Sequence, residues 1–225
     1  MSSNSPALIL IAGLPGTGKT SFAKYLSRKL GIPMVSKDII KEHLFDTIGF
    51  KNRAEKVTLG IAAADLMYHV AELHLEIGLP IILENNFESA SKPGLLKLIA
   101  HYNCKTVMVK FHTEPGVLGK RFLERDKSPE RHRGHVINTR YPEVPDNGKL
   151  PPDQIQGDRA PSNQDSYEPQ VTDFSKYYNA MIQRGMADFS VDGEEIFVDT
   201  TDFAAVSYDS ICNKVKLNIS PGATS

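Results

Sequence analysis

Residues 13–20 read Gly-Leu-Pro-Gly-Thr-Gly-Lys-Thr and satisfy G-x-x-x-x-G-K-[ST] at every specified position. A backbone that turns its N–H groups toward phosphate oxygens needs glycine at the tight points. Gly13, Gly16 and Gly18 answer that need, and Leu14, Pro15 and Thr17 complete the loop. Lys19 brings a mobile charge to the β- and γ-phosphates, and the Thr20 hydroxyl is a Mg²⁺ ligand type. Ser21 continues the row of N–H groups at the positive end of the helix that follows.

Moving a γ-phosphoryl group also requires charge neutralisation, an aligned acceptor and, in some enzymes, a base. Asp38 follows the second apolar run, where it can take a proton from an acceptor hydroxyl, hold Mg²⁺ through water, or simply cap a helix. Glu84 ends the third apolar run and is a magnesium-shell candidate, in a place where Asp is usual. Asn86 is either a substrate contact or an ordinary turn residue. Between positions 120 and 133 stand six basic residues, Lys120, Arg121, Arg125, Lys127, Arg131 and Arg133. Arg121 and Arg125 share a helical face and suit a polyphosphate clamp; Arg131 and Arg133 suit substrate. The alternative is a solvated face laced by Glu124, Asp126 and Glu130. His132 and His135 flank the glycine of this segment and are weaker substrate candidates. His69 and His74 are five apart and give no metal-ligand spacing.

The elements that must position these residues follow from hydrophobic period. Residues 7–12, 33–36, 79–83, 106–112 and 195–198 are short apolar runs suited to buried strands, and helical patterns separate them. The first helix carries Phe22, Ala23, Leu26 and Leu30. The second runs from Ile39 with Asp38 as its N-cap. The third spans 54–77 with a core stripe of Val57, Ile61, Ala64, Tyr68, Ala71 and Leu75. Such alternation predicts an α/β P-loop NTPase fold: five mainly parallel strands flanked by helices, with an Arg-rich lid at about 114–135. The phosphate loop, Asp38, Glu84 to Asn86 and Asp199 all fall at the strands' carboxyl ends, where ligands gather on such sheets. One domain over 1–219 is expected, with an irregular insertion at about 136–172, either linker or substrate flap, and a disordered tail at 220–225.

Composition narrows the partners. Lys and Arg total 26 against 27 Asp and Glu, so the net charge of −1 gives no bulk grip on nucleic acid or anionic membrane. Cys104 and Cys212 are too few for a disulfide framework. No run approaches the ~18 apolar residues of a membrane span, and a cytoplasmic protein, monomeric or a small homo-oligomer, is expected.

With these residues collected, the chain resembles small P-loop kinases of the group that includes polynucleotide 5′-kinase, chloramphenicol phosphotransferase and zeta-toxin-like sugar-nucleotide kinases. The resemblance covers most of residues 8–201. It rests on residues 13–20 as the phosphate loop, Asp38 in the catalytic-base position, Arg121 and Arg125 as lid arginines, and Arg131-His132-Arg133-Gly134-His135, similar to a lid motif with Pro in place of Arg133. Residues 198–201 resemble the last strand and the loop by the nucleotide base, which makes Thr200 a nucleotide contact. Lys41 stands where polynucleotide kinases carry an Arg for the scissile phosphate, and Glu84-Asn85-Asn86 replaces their Asp-Thr-Asn. Both departures speak against polynucleotide acceptors. The resemblance implies an ATP- and Mg²⁺-dependent phosphotransferase acting on a hydroxyl of a small molecule or nucleotide. A P-loop ATPase or GTPase switch and a nucleic-acid 5′-hydroxyl kinase are the alternatives. The switch lacks a complete N-K-x-D string, since 213–216 read Asn-Lys-Val-Lys, and an AAA-type motor would want a strand ending in Asp-Glu.

Overall fold

The computed structural model describes residues 5–143 and 174–220. Five strands, β1 (Ala7–Gly13), β2 (Met34–Ser36), β3 (Ile81–Glu84), β4 (Lys105–His112) and β5 (Glu194–Asp199), form one sheet in the order β2-β3-β1-β4-β5. Every neighbouring pair is parallel, as the alternating pattern requires. The helices are α1 (Lys19–Leu30), α2 (Lys37–Ile48), α3 (Arg53–Glu76), α4 (Lys92–Tyr102), α5 (Pro115–Lys127), α6 (Arg133–Val136), α7 (Phe174–Gln183) and α8 (Tyr208–Ile219).

β1 is central and buried along its whole length, so its side chains serve two cores by simple alternation. Ile9 and Ile11 meet Phe22, Ala23 and Leu26 of α1 and Ile211, Cys212 and Val215 of α8. Leu8, Leu10 and Ala12 meet Met67, Ala71 and Leu75 of α3 and Leu95 and Leu98 of α4. Each such side chain contributes about 1.5–3 kcal/mol on burial, and together they fix the carboxyl edge of the sheet as a rigid platform. β5, at the sheet edge, buries only Ile196 and Val198 and presents Glu194, Glu195 and Asp199 outward, which discourages pairing with another chain.

Two expectations change. Asp38 is not the N-cap of α2: Ser36 holds that position, its hydroxyl is committed to Glu84, and Asp38 lies in the helix's first turn. On α3 the buried row is Lys56, Gly60, Ala63, Met67, Ala71 and Leu75, whereas Val57 and Ile61 are 49% and 58% exposed. The helix is apolar nearly all round, so period alone cannot choose its inward face. The choice is made by neighbours. Gly60 lies under the stem of Lys41, 3.3 Å from where a Cβ would sit, and Lys56 is drawn inward to the lid. Of the expected insertion, 136–143 fold back against α2 and α3, with Phe50 and Tyr141 exchanging backbone hydrogen bonds of 2.8 Å in each direction. The rest of it, 144–172, lies outside the described residues, as does 221–225 of the tail expected at 220–225.

The revised face of α3 has a direct consequence for stability. Val57→Gln and Ile61→Gln should each change unfolding free energy by no more than about 0.5 kcal/mol, whereas Met67→Ala should cost about 2–5 kcal/mol, read by urea titration. Equal losses at Ile61 and Met67 would restore the original stripe.

Candidate functional site

The phosphate loop leaves β1 at Gly13, crosses Gly16 and Gly18 at φ +91° and +87°, and enters α1 at Lys19. Those positive φ values lie in the left-handed region, which glycine adopts without the cost borne by other residues. Thr17 closes the loop on itself, its hydroxyl donating to Leu14 O at 2.8 Å. Lys19 is buried, and its Nζ donates to the same carbonyl at 2.8 Å. Burial lowers the Lys19 pKa to about 8, against the attraction of Glu84 and Asp38.

Glu84 reaches the loop because β3 pairs beside β1, with Ile11 and Glu84 in register. Its carboxylate accepts from Ser36 Oγ at 2.5 Å and from the Thr20 hydroxyl, while burial pushes its pKa upward. Thr20 and Glu84 thus set a hydroxyl and a carboxylate side by side, a donor set of hard oxygens that fits Mg²⁺. Asp38 enters from the end of β2. Burial by itself would raise its pKa, yet His135, Arg131, Lys41 and Lys19 outweigh it and hold the carboxyl below its ordinary value.

The Arg-rich segment divides residue by residue. Arg131 and His135 face inward, and the His135 Nε2 donates to Glu42 Oε1 at 2.9 Å. Burial lowers the His135 pKa although Glu42 opposes it. His132 turns the other way, to Asp46 at 2.9 Å, which also accepts from the Tyr141 hydroxyl at 2.7 Å. Arg133 makes two hydrogen bonds to Glu143, at 2.7 and 3.2 Å, and does not line the inner cleft. Arg133, expected to bind substrate, is here turned to Glu143, because the bend into α6 sends Arg131 and His135 to one side and His132 and Arg133 to the other. Gly134 is needed where it stands, because a Cβ there would run into the Phe45 ring.

Arg121 and Thr200 are likewise engaged elsewhere than expected. Arg121 donates to Thr200 O at 2.6 Å and Thr201 O at 3.0 Å, and its guanidinium lies 3.8 Å from the Phe203 ring centroid. Phe203 rests against Gly18, so this stack borders the phosphate loop and forms its flank. Thr200 is fully buried and its hydroxyl is spent on Thr17 O, His112 O and the Thr113 hydroxyl. Both residues brace the nucleotide side from behind. Arg125 lies close enough to Lys19 to depress its pKa, sits over the Phe122 ring and bonds Asp126 at 3.4 Å. Its Nε, like that of Arg131, is buried without a hydrogen-bond partner. Leaving such an N–H unbonded costs about 1–3 kcal/mol, offset for Arg131 by Asp126 Oδ1 at 3.7 Å from its Nε.

A cleft of about 420 Å³ begins at Pro15 and takes in Asp38, Lys41, Asn86, Arg131 and His135, whereas Lys19, Thr20, Glu84, Arg121, Arg125 and Thr200 do not line it. A hollow of about 330 Å³ between β5 and α8 meets neither the phosphate loop nor the strand-end carboxylates. The larger cleft also contains residues that sequence reasoning missed: Arg53, Lys56, Asn138, Tyr177 and Arg184. Lys56 is the most informative of them. Its Nζ donates to His135 O at 2.9 Å, to Asn138 Oδ1 at 2.9 Å and to Ile137 O, so a cation of α3 holds the base of the lid. Burial and the neighbouring cations Lys41, Arg53 and Arg131 lower its pKa to about 7. The only sequence signal was a lysine on the row that includes Gly60, Ala63 and Met67.

The lowered Lys19 pKa makes nucleotide binding proton-linked. Polyphosphate beside Lys19 raises its pKa again, so above about pH 8 binding takes up a proton and affinity falls as pH rises, whereas below that the group is already charged. Calorimetry near pH 8.5–9 in two buffers of different ionisation enthalpy should detect uptake; a buffer-independent heat would contradict it.

A search of curated proteins finds no significant match. Among solved structures, the chain is similar to a protein described as a candidate kinase from Chloroflexus aurantiacus, with 23% identity and a TM-score of 0.66 over 97% of this chain and 98% of that one. A sugar kinase from Janibacter sp. is more distant, at 10% identity and a TM-score of 0.51 over 98% and 99%. At these identities the likeness establishes the fold, and it is the fold of small P-loop kinases. The model of the AAA domain family matches residues 8–139, from the start of β1 through the end of the lid. The model covers the phosphate-loop sequence after β1, the carboxylates after β2 and β3 and the basic segment across from them, which together make up the candidate site, and over more than half of its length the chain belongs to the AAA domain family.

Proposed function

We propose that this chain is an ATP- and Mg²⁺-dependent phosphotransferase that moves the γ-phosphate to a hydroxyl of a small molecule or nucleotide. The observation that carries this reading is Asp38, a carboxylate that shares one cleft with Arg131 and with Pro15 of the phosphate loop and lies within the electrostatic reach of Lys19. A switch that only hydrolyses nucleotide has no use for a second, walled compartment opposite its phosphate loop. The cleft's volume also suits a small acceptor. Similarity to proteins described as kinases supports the reading. No described helix is long and apolar enough to cross a membrane, which is compatible with an enzyme of the cytoplasm drawing on its ATP.

In this mechanism the loop N–H groups and Lys19 hold the donor's phosphates, with Arg125 and Arg131 offering guanidinium N–H groups from the lid. Thr20 and Glu84 would hold Mg²⁺, which neutralises charge on the phosphates. Asp38 accepts a hydrogen bond from the acceptor hydroxyl and aligns its oxygen with the γ-phosphorus. As that oxygen bonds to phosphorus, the bond to the bridging oxygen of the diphosphate breaks and the hydroxyl proton passes to Asp38. A carboxylate held below its ordinary pKa is a weak base, so it takes the proton late, when the hydroxyl has become acidic.

The test is transfer of labelled phosphate from ATP to a panel of hydroxyl compounds. Asp38→Asn should lower turnover ~10²- to 10⁴-fold while nucleotide affinity changes less than about threefold. Release of inorganic phosphate alone, stimulated by a protein partner and indifferent to Asp38→Asn, would replace this reading with a switch.

A further inference from the structure

The cleft's charge is out of balance with that of the chain. Whereas the whole sequence is nearly neutral, the described residues that line the cleft include six Lys or Arg, namely Lys37, Lys41, Arg53, Lys56, Arg131 and Arg184, against three carboxylates, Asp38, Glu88 and Asp126. The three carboxylates are already engaged. Glu88 pairs with Arg184, Asp126 with Arg125 and Arg131, and Asp38 stands among Lys19, Arg131 and Lys41. Lys56 is satisfied by three oxygens of the lid, and Arg53 donates to the neutral side chain of Asn138 at 3.1 Å.

Lys41 differs from these. Among the described residues its ammonium makes no hydrogen bond or ion pair; the contact it has is with the Phe45 ring, 5.3 Å from the centroid. Its place is nonetheless set, because Gly60 of α3 leaves room for the stem and puts the ammonium 3.3 Å from where a Cβ would stand. On the facing lid, Arg131 buries an Nε–H with no acceptor. The Lys41 ammonium is half-buried and, among the described residues, hydrogen-bonds to nothing, and the one carboxylate that attracts it, Asp38, is shared with Lys19 and Arg131; the Arg131 Nε–H has Asp126 near it at 3.7 Å, beyond hydrogen-bond reach, and both residues line one compartment next to Asp38.

Building on the phosphotransferase reading, we infer that the acceptor is itself an anion, a hydroxyl compound carrying a phosphate, sulfate or carboxylate group that Lys41 binds with the support of Arg53. Asp38 addresses the hydroxyl and Lys41 the anionic group, so the two ends of the acceptor are recognised by opposite charges and the molecule enters in one orientation. Neutral polyols or drugs of the same size would leave Lys41 desolvated and unpaired, which is selection by the cost of binding the wrong molecule.

The probe is inorganic phosphate, titrated by calorimetry into protein whose phosphate loop is first saturated with AMPPNP and Mg²⁺. Wild type should bind phosphate saturably; Lys41→Gln should weaken it ~10-fold and Lys41→Arg restore most of it, with AMPPNP affinity unchanged in both. Phosphate that fails to bind the nucleotide-filled protein, or binds Lys41→Gln as well as wild type, overturns the inference and leaves the kinase reading standing. Failure of AMPPNP to bind wild type would remove both.

Discussion

The site depends on an ammonium group placed where water cannot easily reach it. Lys19 is buried at the start of α1, anchored to Leu14 O and faced by Glu84 and Asp38. A charge in that position is tolerable only if carboxylates stand near it and the backbone around it is fixed. Both conditions come from the sheet. Parallel pairing of β1 with β3 and of β3 with β2 delivers Glu84 and Ser36 to the same edge, in register, and Asp38 two residues beyond Ser36. Glu84 in turn is stabilised by two hydroxyls, so the buried ions form a chain of dependence that runs from β2 to the phosphate loop.

The lid is held by a different physics. It carries little of the main core; polar contacts pin it to α2 and α3, through His135 to Glu42, His132 and Tyr141 to Asp46, and Lys56 to the carbonyls behind α6. An aromatic group of Phe45, Phe50, His132, His135 and Tyr141 fills the space between them. Such contacts are individually modest and partly exposed, which places this segment among the less firmly held parts of the fold. Asp38 lies at the start of α2, and Glu42 and Asp46 on its next turns, so one helix carries both the cleft carboxylate and the anchors of the Arg-rich segment.

Much of the architecture was legible in the chain. Short apolar runs and their spacing identified all five strands and their parallel arrangement, since buried strands and their crossovers leave a local signature. The phosphate loop was legible for the same reason: its chemistry is performed by eight consecutive residues. Asp38 and Glu84 could be located because strand ends are readable and an α/β sheet brings them together. The inward face of α3 could not, because residues such as Val57, Ile61, Leu66 and Leu73 are as apolar as those that became buried. Period reports a face only when the opposite face is polar.

The lid shows where sequence ends. A cluster of arginines says that charge will be concentrated, and the chain by itself determined that, together with the fold, the phosphate loop and the strand-end carboxylates. Which arginine faces the cleft was decided by tertiary structure: Arg131 inward, Arg133 to Glu143, Arg121 onto Thr200, Thr201 and Phe203. The same is true of Lys56 and Lys41, whose roles arise from α3 meeting the lid and α2 across long separations in sequence. Local sequence encodes what neighbouring residues do together. A side chain's partner across a cleft depends on packing that no single segment specifies.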